Sequence, residues 1–179
     1  VPPHDHEAND EDNAPHDSLA IASLSSGDVE RIADVQSFRI PQENGQWLAY
    51  RHADTTQADG ADPDTTRDDA GQTLTLRNLE GGTERTYEHV TGEYAFSPDG
   101  AWLVFARATP DSTGDGVFAV PTQTGNVRPL LTGPGSYTHL TIDEEDEQIA
   151  FLTNRDDLES EAIAADAPAH TLYRATLAD

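Results

Sequence analysis

The stretch Tyr94-Ala95-Phe96-Ser97-Pro98-Asp99-Gly100-Ala101-Trp102-Leu103-Val104-Phe105-Ala106 decides the fold. It predicts a strand, a tight turn and a second strand. Ser-Pro-Asp-Gly supplies the turn: Pro presets its backbone angle and Gly is free to take a positive φ. Residues 102–106 form an unbroken apolar run, so both faces of the second strand are expected to be buried. An antiparallel sheet usually keeps one face in water, and burial of both requires that sheets stack on either side.

Working outward, the same unit recurs in weaker form. Phe38 and Ile40 share one face of a strand, residues 41–45 turn, and Trp47-Leu48-Ala49-Tyr50 is an apolar strand. Residues 137–142, a turn at 143–146 and residues 148–152 repeat it a third time. Trp47 and Trp102 hold equivalent places 55 residues apart. A second kind of turn recurs around Gly27, Gly82 and Gly125, each between two short strands: 19–24 and 29–33, 72–79 and 84–90, 117–120 and 127–131. Residues 170–177 read as a last strand. Residues 53–71 and 110–116 are polar loops without periodicity. Residues 154–169 read as an acidic, Ala-rich exposed loop, although Leu158, Ile163 and the alanines would allow a turn or two of helix. Residues 1–17 have the composition of an acidic disordered tail or linker.

A four-stranded antiparallel unit repeating every 40 to 55 residues predicts an all-β chain of β-propeller type. Residues 18–179 then hold about three blades, with repeats centred near 38–52, 94–107 and 138–153. A β-sandwich is the rival, and it predicts cleaner alternation of buried and exposed positions. Closed propellers typically have four to eight blades, so three leave unpaired edges and uncovered faces. The expectation is part of a larger ring, or a ring closed by a second copy of the chain.

Composition narrows the partners. The 179 residues carry 34 Asp plus Glu against 10 basic residues, a formal net charge of -24, and every basic residue is Arg. Such a field repels nucleic acid and anionic membrane surfaces, and at low salt it strains the compact state. An acidic, Lys-free surface resembles that of proteins from salt-loving organisms, so stability is expected to rise with salt. There is no Cys, hence no disulfide scaffold, and no Met. The chain begins at Val1, which suggests a processed or excised piece of a longer protein. No apolar stretch approaches the roughly 20 residues that span a membrane. The compartment stays open between the periplasm or exterior and the cytoplasm of a salt-loving bacterium.

Residues 96–106, FSPDGAWLVFA, resemble the blade signature of WD-like repeats in TolB-type propellers and in the N-terminal propellers of the prolyl oligopeptidase family. The longer tracts 74–107 and 115–157 are closer to bacterial members of the peptidase family, and the likeness covers residues 19–179. The resemblance implies a propeller set over an α/β-hydrolase domain, where it restricts peptide access to a Ser-Asp-His site. This chain has no G-x-S-x-G nucleophile elbow and no alternating βα pattern, so no catalytic residue is carried over. The function expected is a non-catalytic propeller segment that contacts a hydrolase domain or further blades. The alternative is an independent TolB-like protein-interaction module. The stretch of the parent gene downstream of residue 179 would separate the two.

No catalytic, cofactor or metal residue is assigned. Ser97 and Asp99 read as turn residues. His52, His89, His139 and His170 stand near strand ends without a ligand spacing, and His4, Asp5, His6, Glu7 and His16 belong to the tail. Residues 111–116 loosely resemble a calcium loop but lack its later Glu. Trp47 and Trp102 read as core, and Arg107 and Arg155 as partners for the abundant carboxylates.

Overall fold

The computed structural model describes residues 17–52, 71–159 and 169–177. The tail through residue 16, most of the 53–71 loop and most of the 154–169 loop lie outside them. Twelve strands are described: β1 (Leu19–Ala22), β2 (Val29–Ile32), β3 (Val35–Arg39), β4 (Trp47–His52), β5 (Gln72–Asn78), β6 (Glu84–Phe96), β7 (Trp102–Arg107), β8 (Gly116–Pro121), β9 (Arg128–Thr132), β10 (Tyr137–Ile142), β11 (Gln148–Thr153) and β12 (Thr171–Thr176). One short helix, α1 (Arg155–Glu159), stands where the sequence reading expects loop. Thr153 Oγ1 accepts the Arg155 N–H at 3.1 Å, and Asp156 and Asp157 lie in the first turn, where the helix dipole favours carboxylates. Asp17, placed in the tail by its composition, is already tied down: its carbonyl accepts the Val35 N–H at 2.9 Å.

Backbone pairing joins β1 to β2, β3 through β9 in sequence order, and β10 through β12, antiparallel throughout. The sequence suggests separate strands at 84–90 and from 94 onward. Instead β6 is one 13-residue strand serving two neighbours. Its first half pairs with β5 (Leu74 with Tyr87) and its second with β7 (Tyr94 with Phe105). The register shifts between Val90 and Tyr94, and His89 takes a φ of 59°. A bulge of this kind bends a strand and raises its twist, so the chain passes between layers without leaving the sheet. Gly71 permits the bend, since a Cβ there would lie 2.1 Å from the His89 carbonyl oxygen.

Side-chain packing supplies the division that backbone pairing does not. Leu48 and Tyr50 face the β1–β2 hairpin with Val35, against Leu19, Ile21 and Ile32. Trp47 and Ala49, on the opposite face of β4, join Leu74 and Leu76 against Leu103, Phe105, Phe118 and Val120. Val104, Ala106, Val117 and Ala119, the alternate residues of β7 and β8, pack on Ile149 and Phe151. Three buried interfaces therefore occur in series, between the hairpin, the layer from β3 into β6, the layer from β6 to β9, and the layer β10–β12. A two-layer sandwich has one such interface. Serial stacking explains the continuous burial of β4, β7 and β8.

Two expectations change. Residues 148–152 read as buried on both faces, yet β11 alternates: Ile149 and Phe151 are buried while Ala150 and Leu152 stay partly open. No further described layer covers that face, and Leu172 beside it is 69% exposed. Phe38 and Ile40 are also exposed rather than core, because β3 is an edge strand and Val35 alone of its residues joins the buried cluster.

A recurring arginine holds adjacent layers in register. Arg85, on the first half of β6, donates to the Thr122 and Gln123 carbonyls beyond β8, at 2.8 and 3.0 Å. Arg128, on β9, does the same at the end of β12, reaching the carbonyls of Thr176 and Leu177. Before the first layer the polarity is reversed: Glu30 on β2 binds Arg77 on β5. The turn that receives Arg85 needs glycine twice over, since Gly125 has a φ of 75° and a Cβ there would meet Arg85 Cδ at 2.4 Å.

Phe105→Ala, at a fully buried site between two aromatic rings, is expected to cost about 3–5 kcal/mol, whereas Leu172→Ala stays within about 0.5 kcal/mol. Arg85→Ala removes two charge-assisted hydrogen bonds and is expected to cost about 2 kcal/mol. Urea denaturation at constant high salt measures all three.

Candidate functional site

The innermost strands β3, the second half of β6, and β10 have chemically opposite ends. At one end lie the turns to β4, β7 and β11. The second turn is closed by its own side chains. Ser97 Oγ accepts the Trp102 N–H at 3.0 Å and donates to Asp99 Oδ1 at 2.6 Å, and Asp99 Oδ1 also accepts the Ala101 N–H at 2.8 Å. In the third turn Asp143 replaces Ser97: its Oδ1 accepts the Glu147 and Gln148 N–H groups at 2.9 and 3.0 Å. Asp146 stands where the second turn has Gly100, and both take a positive φ, 59° and 76°.

These turns touch. The Glu43 N–H donates to the Pro98 carbonyl at 2.9 Å, and a Cβ on Gly100 would lie 2.8 Å from Pro41 Cγ. Their acids are thereby concentrated. Burial pushes the Asp146 carboxyl up from its ordinary value, and the Asp99, Glu43 and Asp143 charges push it further, against a hydrogen bond from the Asp99 backbone. Among the described residues no group of three or more His, Asp or Glu has a geometry that could hold a metal.

At the other end, where the chain crosses between layers, lies a polar cavity of about 340 Å³. Arg51 and Arg107 line it, with Thr91, Glu93, Ser136 and Thr138. Arg51 is 8% exposed and donates from Nη2 to the amide oxygens of Gln36 and Gln72, at 2.8 and 2.9 Å. Burial pulls its guanidinium below the ordinary value. Arg107 lies over the Phe118 ring, 4.6 Å from the centroid, and over Phe105 at 5.8 Å.

The residues weighed from sequence are dispersed. His52 sets its ring edge-on to Tyr50, His139 Nδ1 lies 3.0 Å from Thr138 Oγ1, and His139 and His170 are exposed. His89 and His139 share a backbone role, each with φ near 59° close to the start of an innermost strand, as Asp34 has at 57°. The loop at 111–116 folds on itself: Asp111 Oδ1 takes the Thr113 N–H and hydroxyl, and buried Asp115 accepts the Thr109 N–H at 2.7 Å. Trp47 is core, while Trp102 is partly open beneath Arg128. Arg155 pairs with Asp156 at 2.9 Å as expected. Among the described residues Arg107 forms no ion pair; it lies over two aromatic rings instead. Arg51 escaped the sequence reading, though a signal existed: Trp47, Ala49 and Arg51 have one parity, so the arginine shares the face that packs on the next layer.

No protein-family model and no curated protein matches the sequence. Solved structures do. Tricorn protease superposes with a TM-score of 0.55 at 11% identity, over 89% of this chain and 15% of that one. A structure from a study of two prolyl endopeptidases gives 0.51 at 16% identity, over 79% and 19%. The β-propeller domain of the Trilobed protease from Pyrococcus furiosus gives 0.44 at 19% identity, over 64% and 33%. The chain spans no more than a third of the length of any of them. At these identities the likeness concerns the fold, and the chain is an all-β protein of β-propeller type.

Asp146→Asn tests the acidic end. The raised folded-state carboxyl means that Asp146 favours folding in acid, and that this contribution is lost as pH rises through the folded value. Asn also accepts a positive φ and keeps an acceptor oxygen. The substitution is expected to stabilise the chain at pH 7 by about 0.5 kcal/mol at low salt. The gain should fade on acidification below the carboxyl range and in high salt, as read by thermal denaturation across pH.

Proposed function

We propose that this chain is the non-catalytic propeller segment of a prolyl-oligopeptidase-like serine peptidase. In this reading it packs against a hydrolase domain or further blades and restricts the access of peptide substrates. The observation that carries the reading is the serial stacking of layers, in which no further layer of the described residues covers one face of β10–β12. Ala150, Leu152 and Leu172 on that face correspond to positions that the middle layer buries against its neighbour. The fold shared with tricorn protease and the prolyl endopeptidase supports the same reading, as does the blade signature at 96–106. The surface acidity goes with a salt-rich setting, where screening relieves self-repulsion.

Light scattering at low and high salt, together with a peptidase assay on the isolated chain, tests this function. The expected results are no hydrolysis of chromogenic peptides and self-association in high salt that Leu172→Asp abolishes. A discrete dimer would indicate two copies closing one ring. Hydrolysis by the chain alone would overturn the proposal. A folded monomer at both salt levels would favour an independent protein-binding propeller instead.

A further inference from the structure

Ten arginines face 34 carboxylates in this chain, so an arginine without an ion pair needs a reason. Arg77 and Arg155 pair with acids, and Arg85 and Arg128 clamp carbonyls. Arg51 and Arg107 form no ion pair among the described residues, and both line the cavity where the chain crosses between layers. Arg51 is more than nine-tenths buried, its bonded partners are two neutral amides, and its Nε has no partner. The Arg107 Nε is likewise buried without a partner, and Glu88 acts on this guanidinium only through its field. A buried guanidinium with no counter-charge is costly. Arg51, buried, and Arg107, partly buried, on one polar wall amount to half of a charge-assisted site, since the guanidinium fork matches carboxylate and phosphate oxygens.

We infer that the cavity between Arg51 and Arg107 binds a small oxyanion, a carboxylate or a phosphate. Its volume, about 340 Å³, lies within the range of small-molecule sites, roughly 300–1,000 Å³. Thr91, Ser136 and Thr138 stand on the same lining. Thr91 Oγ1 already accepts the Glu93 N–H, at 3.2 Å, which leaves its own proton to donate. Glu93 is the opposing element. Glu93 lines the cavity and its carboxylate takes the Leu140 N–H at a long 3.5 Å, so it weakens the site without neutralising it. Gly92 lets the wall come close to Arg51, since a Cβ there would lie 3.3 Å from Nη1. The inference is independent of the peptidase reading, because it rests on two guanidinium groups without an ion pair among the described residues and on a cavity.

The test is titration calorimetry on the full 179-residue chain with succinate and, separately, inorganic phosphate, at constant ionic strength set with chloride. A saturable isotherm is expected for at least one probe, and which probe binds identifies the source of the oxyanion. Arg107→Gln is expected to weaken binding by at least about ten-fold, the loss of one charge-assisted contact. Glu93→Gln is expected to tighten it several-fold, a gain that a merely structural role for the arginines would not produce. Should Arg107→Gln fail to fold, Glu93→Gln decides alone. No heat beyond the chloride background, or equal affinities in wild type and Glu93→Gln, would overturn the inference.

Discussion

Every layer of this protein depends on having its apolar faces covered by its neighbours. The side-chain period of a strand is two, so an unbroken apolar run such as Trp102 to Ala106 must send alternate residues in opposite directions. Leu103 and Phe105 go to one interface and Val104 and Ala106 to the next. At about 25 cal/mol per Å² of apolar surface removed from water, each layer is stable to the extent that its neighbours are in place. Among the described residues the middle layers are covered twice and the layer β10–β12 once. The alternating burial of β11 records that difference within a single strand.

Apolar burial is non-directional, so it leaves the sliding of one layer over another weakly specified. The polar contacts between layers are placed to resist sliding. Arg85 and Arg128 reach backbone carbonyls at the outer end of each succeeding layer, and Glu30 with Arg77 does the equivalent at the hairpin. At the inner end the Glu43 to Pro98 backbone bond joins successive turns. Carbonyl acceptors suit this use better than surface carboxylates do. They are fixed by the sheet, whereas an exposed ion pair contributes little and is screened by salt.

The architecture was legible because repetition and apolar runs are local signals. The turn at 97–100, the strand after it and the equivalence of Trp47 with Trp102 follow from residue identity alone. The join within β6 was not legible: Thr91-Gly92 reads as a break between strands, and only the partner strands on either side show that the ladder continues through it. Phe38 and Ile40 misled because apolar parity shows which residues share a face and not whether another layer covers it. At the sites the limit was similar. Arg155 found the carboxylate next to it in sequence, while the environment of Arg107 is made by Phe105 and Phe118, brought together only by the pairing of β7 with β8. Arg51 could have been singled out from strand parity, but the missing counter-charge needed the fold.

The two ends of the innermost strands place opposite demands on whatever meets them. At the turns, Asp146 already has a carboxyl raised by its burial and by Asp99, so any acidic group brought there adds to an unfavourable field. Over about 10 Å, the screening length near 0.1 M salt, that field is weakened by ions more readily than by protein contacts. At the crossovers the cationic groups are sheltered: Arg51 is buried and Arg107 lies over the Phe118 ring. Sheltered charge is screened less by salt. A chain with a formal net charge of -24 keeps selective electrostatics best where solvent is partly excluded. In this fold the cavity beside Arg51 and Arg107 meets that condition.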